Sequence, residues 1–154
     1  LKGVKGDAGL LCKLLYGCGL RVAEGLALRV KDVDLNGGTV TVRGGKGGKD
    51  RTVPVHPALA VLLDSHRHAG RVVDLCPDAV GSVVATHMRA CGVPASFHQL
   101  RDTFATELAR VADAYSVAQL LGHSQLDTTM LYVSLAGRDT APMVAAMYGA
   151  DTAA

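Results

Sequence analysis

Six residues with basic or nucleophilic side chains are spread along the chain. In order they are Arg21, Lys46, His98, Arg101, His123 and Tyr132. Guanidinium groups donate paired hydrogen bonds to anionic oxygens, imidazole and ammonium groups transfer protons, and a phenol hydroxyl can act as a nucleophile. Each residue taken alone also fits an ordinary surface or core position. Their order and local contexts are more specific than their types.

The local sequence around each of these residues is distinctive. Arg21 lies in the segment YGCGLRVAE, and Lys46 lies in the glycine-rich segment GKGGKDRTVP. His98 and Arg101 are three residues apart and so share one face of a predicted helix. His123 lies in LLGHS, and Tyr132 ends the segment TTMLY nine residues later.

This set resembles the active-site set of the tyrosine recombinase, or phage integrase, family. The resemblance runs from about Asp7 to Leu135, and all six active positions of the family have a counterpart. It implies a site-specific DNA recombinase that cleaves and rejoins double-stranded DNA through a 3′-phosphotyrosyl intermediate. The same resemblance implies the tyrosine recombinase catalytic-domain fold.

The resemblance also implies a role for each residue. Arg21 and Arg101 would clamp the phosphate, whose transition state spreads negative charge over its oxygens. Tyr132 would be the nucleophile; the arginines would favour its phenolate, and a histidine would take the proton. Lys46 would protonate the departing 5′ hydroxyl, with Lys49 as the competitor in the same loop. The arginines would supply the charge that a metal otherwise provides, so we expect no metal and no cofactor.

Two positions depart from the family pattern. Cys18 replaces a common threonine, and Asp102 replaces a histidine that often follows the second arginine. Neither is a catalytic position in the family, and Asp102 is interpreted as a surface or supporting residue. Glu24, one helical turn after Arg21, is expected to hold an arginine or to cap the local structure.

The bulk charge gives only weak support for a DNA partner. The formal net charge is +2, so any DNA-binding surface must come from clustered basic residues. We expect Arg43, Lys49 and Arg51 to contact DNA. Contacts to the phosphate backbone position DNA without reading its sequence.

The hydrophobic pattern predicts a mainly α fold with a small antiparallel β-sheet (α+β). Helices are predicted over residues 7–16, 21–28, 58–68, 78–91, 98–111, 116–121 and 126–133. Strands are predicted over 39–42 and 51–55, flanking the glycine-rich loop, with a further short strand at 32–35.

The length of 154 residues and the apolar fraction of 49% indicate one folded domain. We interpret residues 1–154 as a single catalytic domain and expect the family's helical core-binding domain to lie outside this chain. The four cysteines are not paired as Cys-x-x-Cys and are read as reduced thiols. No membrane segment is recognised, and the cytoplasm of a bacterium or of a phage-infected cell is the expected location.

The segment after Tyr132 indicates that several copies of the chain associate. Pro142 suits the first turn of a short helix whose apolar face is formed by Met143, Val144, Ala146 and Met147. By resemblance this segment would dock into a neighbouring subunit of a tetramer on DNA. The alternative is that it folds back onto its own domain.

Three other functions fit parts of the pattern. A type IB topoisomerase shares the active-site set, but the compact motifs and the apolar tail favour a recombinase. A catalytically inactive DNA-binding relative would more often have lost one of the six residues. A metal-dependent nuclease would need grouped carboxylates, which the sequence does not display.

Overall fold

A computed structural model describes residues 6–45, 48–65, 70–92, 95–123 and 127–137 of the chain. The helices are α1 Gly6–Cys18, α2 Val22–Ala27, α3 Pro57–Ser65, α4 Val80–Ala90, α5 Phe97–Val111, α6 Ala114–Leu121 and α7 Asp127–Leu135. The strands are β1 Val33–Asp34, β2 Thr39–Val42 and β3 Arg51–Pro54. The predicted mainly α fold with a small sheet is therefore confirmed.

The three strands form an antiparallel sheet in the order β1-β2-β3. Val40 at its centre faces Val33 on one side and Val53 on the other. Val40 and Val53 are fully buried, whereas their neighbours along the strands are more exposed. This alternation is the two-residue period expected for a sheet with one face on the core.

Helix α1 lies at the centre of the main core. Leu11, Cys12, Leu14 and Leu15 have no exposed surface, so the helix is covered on nearly every side. It packs against α2, α3, α4 and α5. A helix that is apolar all round is expected at such a buried position. The free thiols of Cys12 and Cys18 are part of this core.

A second apolar cluster joins α5, α6 and α7. Its buried members are Ala105, Ala109, Val117 and Leu121. Tyr132 and Val133 of α7 are partly buried against it, so the tyrosine packs against α5, the helix that also carries Arg101. Packing between these helices thus fixes the distance between the tyrosine and the arginine.

Local capping determines where two of these helices begin. The Ser96 hydroxyl accepts a hydrogen bond from the Gln99 amide at 3.3 Å, and the Gln99 side chain accepts one from the Ser96 amide at 2.7 Å. This capping box starts α5 immediately before His98 and Arg101. Asp113 caps α6 by accepting from the Ser116 amide at 3.0 Å.

Some predictions fall beyond the described residues. Lys46 lies in the gap at 46–47, the end of the predicted helix 58–68 lies in the gap at 66–69, and the apolar tail falls within 138–154. Among the residues that are described, no helix is both long and apolar enough to cross a membrane. That same part of the chain contains no group of three or more His, Cys, Asp or Glu residues suited to a metal ion.

The central position of α1 gives a stability prediction. Leu15→Ala should lower the free energy of unfolding by about 2–5 kcal/mol, because it leaves a cavity in a fully packed core. Val61→Ala on α3 is the control: this side chain is 70% exposed, and its loss should cost under about 0.5 kcal/mol. Urea denaturation measures both, and equal effects would contradict a core built on α1.

Candidate active site

Arg21 lies at the start of α2, where Glu24 holds its backbone and its side chain. The Arg21 amide donates to Glu24 Oε2 at 2.7 Å, and its guanidinium donates to Glu24 Oε1 at 3.0 Å. The guanidinium also reaches the Gly122 carbonyl at 3.4 Å, which ties α2 to the end of α6. About a third of the Arg21 side chain is exposed, so it can still meet a ligand.

The same carboxylate forms a bidentate pair with Arg51 of β3. Both distances, from Arg51 Nη1 to Glu24 Oε1 and from Nη2 to Oε2, are 2.8 Å. Arg51 Nε donates to the Leu120 carbonyl at 2.8 Å, and only 10% of the side chain is exposed. Arg51, which the sequence assigned to DNA contact, is thus placed as a link between the sheet, α2 and α6. The prediction that Glu24 holds an arginine or caps the local structure is confirmed, since its carboxylate does both.

Arg101 approaches the same centre from α5. Its guanidinium donates to the Gly19 carbonyl and, at 2.7 Å, to the Leu121 carbonyl. Gly19 has φ +61°, and a Cβ atom there would lie 2.4 Å from the Phe104 ring, so only glycine presents its carbonyl in this way. Arg101 is 7% exposed and also lies 3.9 Å from Glu24.

Burial and charge act in opposite directions on this cluster. Burial alone would raise the pKa of Glu24, but hydrogen bonds from Arg51 and Arg21 outweigh it and lower the pKa to about 2. Burial and the neighbouring charge of Arg21 lower the pKa of Arg101 to about 10. Both groups therefore remain charged at neutral pH, and three cations face a single carboxylate.

His123 follows Gly122, which ends α6 with φ +66°. Its Nε2 lies 3.3 Å from Arg101 Nη2, and its Nδ1 lies 2.9 Å from Thr129 Oγ1. A guanidinium has only donors, so Nε2 must be the acceptor and Nδ1 carries the hydrogen that Thr129 accepts. His123 is therefore assigned as the neutral Nδ1–H tautomer in this arrangement.

Tyr132 lies beside this histidine on α7. The two rings are stacked, with centroids 6.2 Å apart and planes 24° from parallel. The Tyr132 hydroxyl donates a hydrogen bond to Asp102 Oδ1 at 2.8 Å. Burial and this contact with the Asp102 carboxylate raise the pKa of Tyr132 to about 12.

Asp102 is the residue whose part in the site the sequence did not predict. It was read as a surface or supporting residue, and it is exposed, yet it contacts the hydroxyl of the predicted nucleophile. The available signal was its departure from the family pattern directly after Arg101. That departure marks the position as unusual, but it does not predict a hydrogen bond to Tyr132, which lies thirty residues further along the chain.

The predicted residues line a common cavity of about 350 Å³. Its walls include Arg21, His98, Arg101, Asp102, His123 and Tyr132. His98 is exposed at the start of α5. The structure therefore brings together five of the six predicted catalytic residues, and the sixth, Lys46, lies outside the described residues.

The residues predicted to contact DNA lie on the hairpin that β2 and β3 form. A cavity of about 790 Å³ between the hairpin and α6 is lined by Gly45, Lys49, Arg51 and His123, so His123 borders both cavities. Lys49 is exposed. Arg43 is 56% exposed but pairs with Asp32 at 2.5 Å and Asp50 at 3.6 Å, which holds its guanidinium against the sheet.

Comparisons with known proteins agree with this geometry. The model of the phage integrase family matches residues 7–138. The tyrosine recombinase XerA of Pyrococcus furiosus is 36% identical over 146 residues, covering 84% of this chain and 50% of that protein. The catalytic domain of bacteriophage HP1 integrase has the same fold, with a TM-score of 0.75 at 21% identity, covering 99% of this chain and 88% of the other.

A further solved structure is that of the XerH site-specific recombinase, bound to a palindromic difH substrate as a post-cleavage complex. It is 25% identical with a TM-score of 0.67, covering 83% of this chain and 42% of the other. The chain thus belongs to the phage integrase family, the tyrosine recombinases. It spans about half the length of the curated relatives that it matches.

The arginine cluster predicts an acid-dependent stability. The pKa of Glu24 is lower in the folded chain, about 2 against an ordinary 4.5, so the carboxylate stabilises the fold above pH 4.5. This contribution, about 3 kcal/mol, is lost as the pH falls towards 2. Glu24→Gln should therefore destabilise the chain at pH 7, by about 3–5 kcal/mol, since it leaves buried arginines without a counter-charge.

The measurement is urea denaturation of the unmodified chain and of Glu24→Gln, each at pH 7 and at pH 3. The difference in stability should shrink by about 2 kcal/mol at pH 3, because somewhat more than half of the Glu24 contribution is lost from the unmodified chain at that pH. Glu107→Gln serves as the control, because that exposed carboxylate lies 3.8 Å from Arg110 and should contribute at most about 1 kcal/mol. An equal difference at both pH values would contradict the assignment.

Proposed function

We propose that this chain is the catalytic domain of a site-specific recombinase, which cleaves and rejoins double-stranded DNA through a 3′-phosphotyrosyl link at Tyr132. The observation that carries the proposal is the shared cavity, whose walls include Arg21, Arg101 and Tyr132. The XerH structure, a post-cleavage complex with its difH substrate, supports DNA as the partner.

The arginines are suited to hold a scissile phosphate. Arg101 is fixed by two backbone carbonyls, and Arg21 by Glu24, so neither must be ordered when the phosphate arrives. Donors positioned in advance stabilise the charge that develops in the transition state, and loss of one typically costs about 2.7–4 kcal/mol. His98, on the wall of the same cavity, would add a donor to the phosphate oxygens, and His123 orients the guanidinium of Arg101 by accepting its hydrogen bond.

Lys46 is proposed as the acid that protonates the departing 5′ oxygen. The residues on either side support this assignment: Gly45 and Lys49 line the cavity that also contains His123. Lys49 is the alternative acid, because its exposed side chain lines that cavity. Lys49 and Arg43 are further proposed to contact the DNA backbone, whereas for Arg51 we propose that its main part is to hold Glu24.

We also propose that the chain acts as a tetramer on DNA in the cytoplasm, with its C-terminal segment docked on a neighbouring subunit. The exposed Met130, Leu131 and Leu135 of α7 leave apolar surface close to where that segment departs. A type IB topoisomerase remains the alternative for the chemistry. The named relatives, which are recombinases and integrases, favour recombination over that alternative.

Tyr132→Phe should abolish covalent attachment to DNA and leave DNA affinity within about twofold, because only the attacking oxygen is removed. The measurement is the yield of SDS-resistant adduct on nicked duplexes with randomised sequence around the nick. Tyr115→Phe is the matched control, since that tyrosine is 63% exposed and should be dispensable. Adduct formation by Tyr132→Phe would assign the nucleophile elsewhere.

Lys46→Ala should slow cleavage of ordinary DNA by about 10²–10⁴-fold, the usual contribution of a general acid. The loss should be rescued on a substrate whose bridging 5′ oxygen is replaced by sulfur, since sulfur departs without a proton. Lys49→Ala is tested beside it. Equal impairment of Lys46→Ala on both substrates would remove it from this role, and sulfur rescue of Lys49→Ala would assign the role to Lys49.

A further inference from the structure

The hydrogen bond between Tyr132 and Asp102 joins two helices at the reacting atom. Helices α5 and α7 pack against each other, and the bond between Tyr132 Oη and Asp102 Oδ1 is 2.8 Å long. A phenol has a single hydrogen, and in this arrangement it points at the carboxylate. Asp102 also follows Arg101 directly, so it lies beside the site where a phosphate would bind.

We propose that Asp102 is a catalytic residue that accepts the proton of Tyr132 as the tyrosine attacks DNA. This inference rests on the function proposed above and adds to it the identity of the base. It departs from the expectation that a histidine takes this proton.

The state of His123 supports the assignment to the carboxylate. Nε2 of His123 accepts from Arg101, and Nδ1 donates to Thr129, so both ring nitrogens are engaged. The ring stacks on Tyr132, a geometry that presents its face rather than a nitrogen lone pair to the neighbouring ring. Asp102 already holds the hydrogen that must depart.

The attack must be coupled to removal of the proton. With a pKa raised to about 12, Tyr132 is almost entirely protonated at neutral pH, so a free phenolate is rare. A carboxylate at hydrogen-bond distance can take the proton in the transition state itself, which is general base catalysis. The same carboxylate that disfavours the free phenolate therefore provides the route by which the proton departs.

Proton transfer from Tyr132 accompanies the exchange of one ester bond at phosphorus for another. The O–H bond of Tyr132 breaks and its proton moves to Asp102 Oδ1, while the bond from Tyr132 Oη to phosphorus forms. The bond from phosphorus to the 5′ oxygen breaks, and that oxygen takes a proton from the general acid. Asp102 becomes neutral as negative charge builds on the phosphoryl oxygens, which removes a repulsion beside them. In religation Asp102 returns the proton to Tyr132.

The test separates proton transfer from simple positioning. Asp102→Asn keeps a side-chain oxygen that can accept the hydrogen bond but is not a base. Asp102→Ala removes the group from an exposed position and leaves space for a small carboxylate such as formate. Glu107→Gln on the same helix is the control for a lost exposed charge. Thermal unfolding and DNA affinity are measured for every variant, and both should be close to those of the unmodified chain.

The readout is the single-turnover rate of SDS-resistant adduct formation on the randomised nicked duplexes. We expect Asp102→Asn and Asp102→Ala to be slower by about 10²–10⁴-fold. Formate, but not chloride at equal ionic strength, should accelerate Asp102→Ala at least tenfold. In ¹³C NMR of the tyrosine ring, the pKa of Tyr132 should fall in Asp102→Asn, because the carboxylate that favours the neutral phenol is gone.

The possible failures are distinguishable. If Asp102→Asn cleaves as fast as the unmodified chain or faster, the carboxylate only holds or restrains the resting hydroxyl, and its role as a base is overturned. A slow Asp102→Ala that formate does not accelerate contradicts proton transfer as well. If neither the unmodified chain nor any variant forms an adduct, the proposed function fails, and this inference fails with it.

Discussion

The Glu24 carboxylate lies among the guanidinium groups of Arg21, Arg51 and Arg101, which come from three different parts of the chain. Each of its oxygens accepts a hydrogen bond from Arg51. Each also accepts one from Arg21, Oε2 from the backbone amide and Oε1 from the guanidinium. Without this anion, three cations would share a largely buried site and repel one another. The positions of α2, β3 and α5 depend on this one group, because each supplies an arginine that lies close to it. The end of α6 is linked to it through the arginines, which donate to backbone carbonyls there.

The consequence for chemistry is a site that is arranged before a ligand arrives. Three cations facing one carboxylate leave an excess of positive charge, which is the field that a phosphodiester needs. Backbone carbonyls of Gly19 and Leu121 fix Arg101 in the same way. The proposed nucleophile, Tyr132 of α7, packs against the smaller apolar cluster, and its hydroxyl donates a hydrogen bond to Asp102. On the proposed function, charge stabilisation would thus come from residues held on the main core, and the reacting hydroxyl from the smaller cluster.

Local signals in the sequence were sufficient for the helices and the hairpin, because periodicity and turn residues are short-range features. The six candidate residues came from the resemblance to a family, and five of them line one cavity in the structure. The start of α5 follows from the Ser96 capping box. The partners of Arg51 and Asp102 could not be predicted in this way. Arg51 meets Glu24 across 27 positions and Tyr132 meets Asp102 across 30, so each pairing depends on how helices and sheet pack. A charged residue near a phosphate site looks the same in sequence whether it contacts DNA or another side chain.

The central claim, that Tyr132 takes the phosphate, is tested most directly by mass spectrometry of the covalent adduct. After nuclease and trypsin treatment, cleavage at Arg110 and Arg138 leaves one peptide that contains both Tyr115 and Tyr132. Fragmentation of this peptide should place the nucleotide mass on Tyr132, joined through a 3′ phosphate. A nucleotide on Tyr115, or on any residue outside this peptide, would contradict the account.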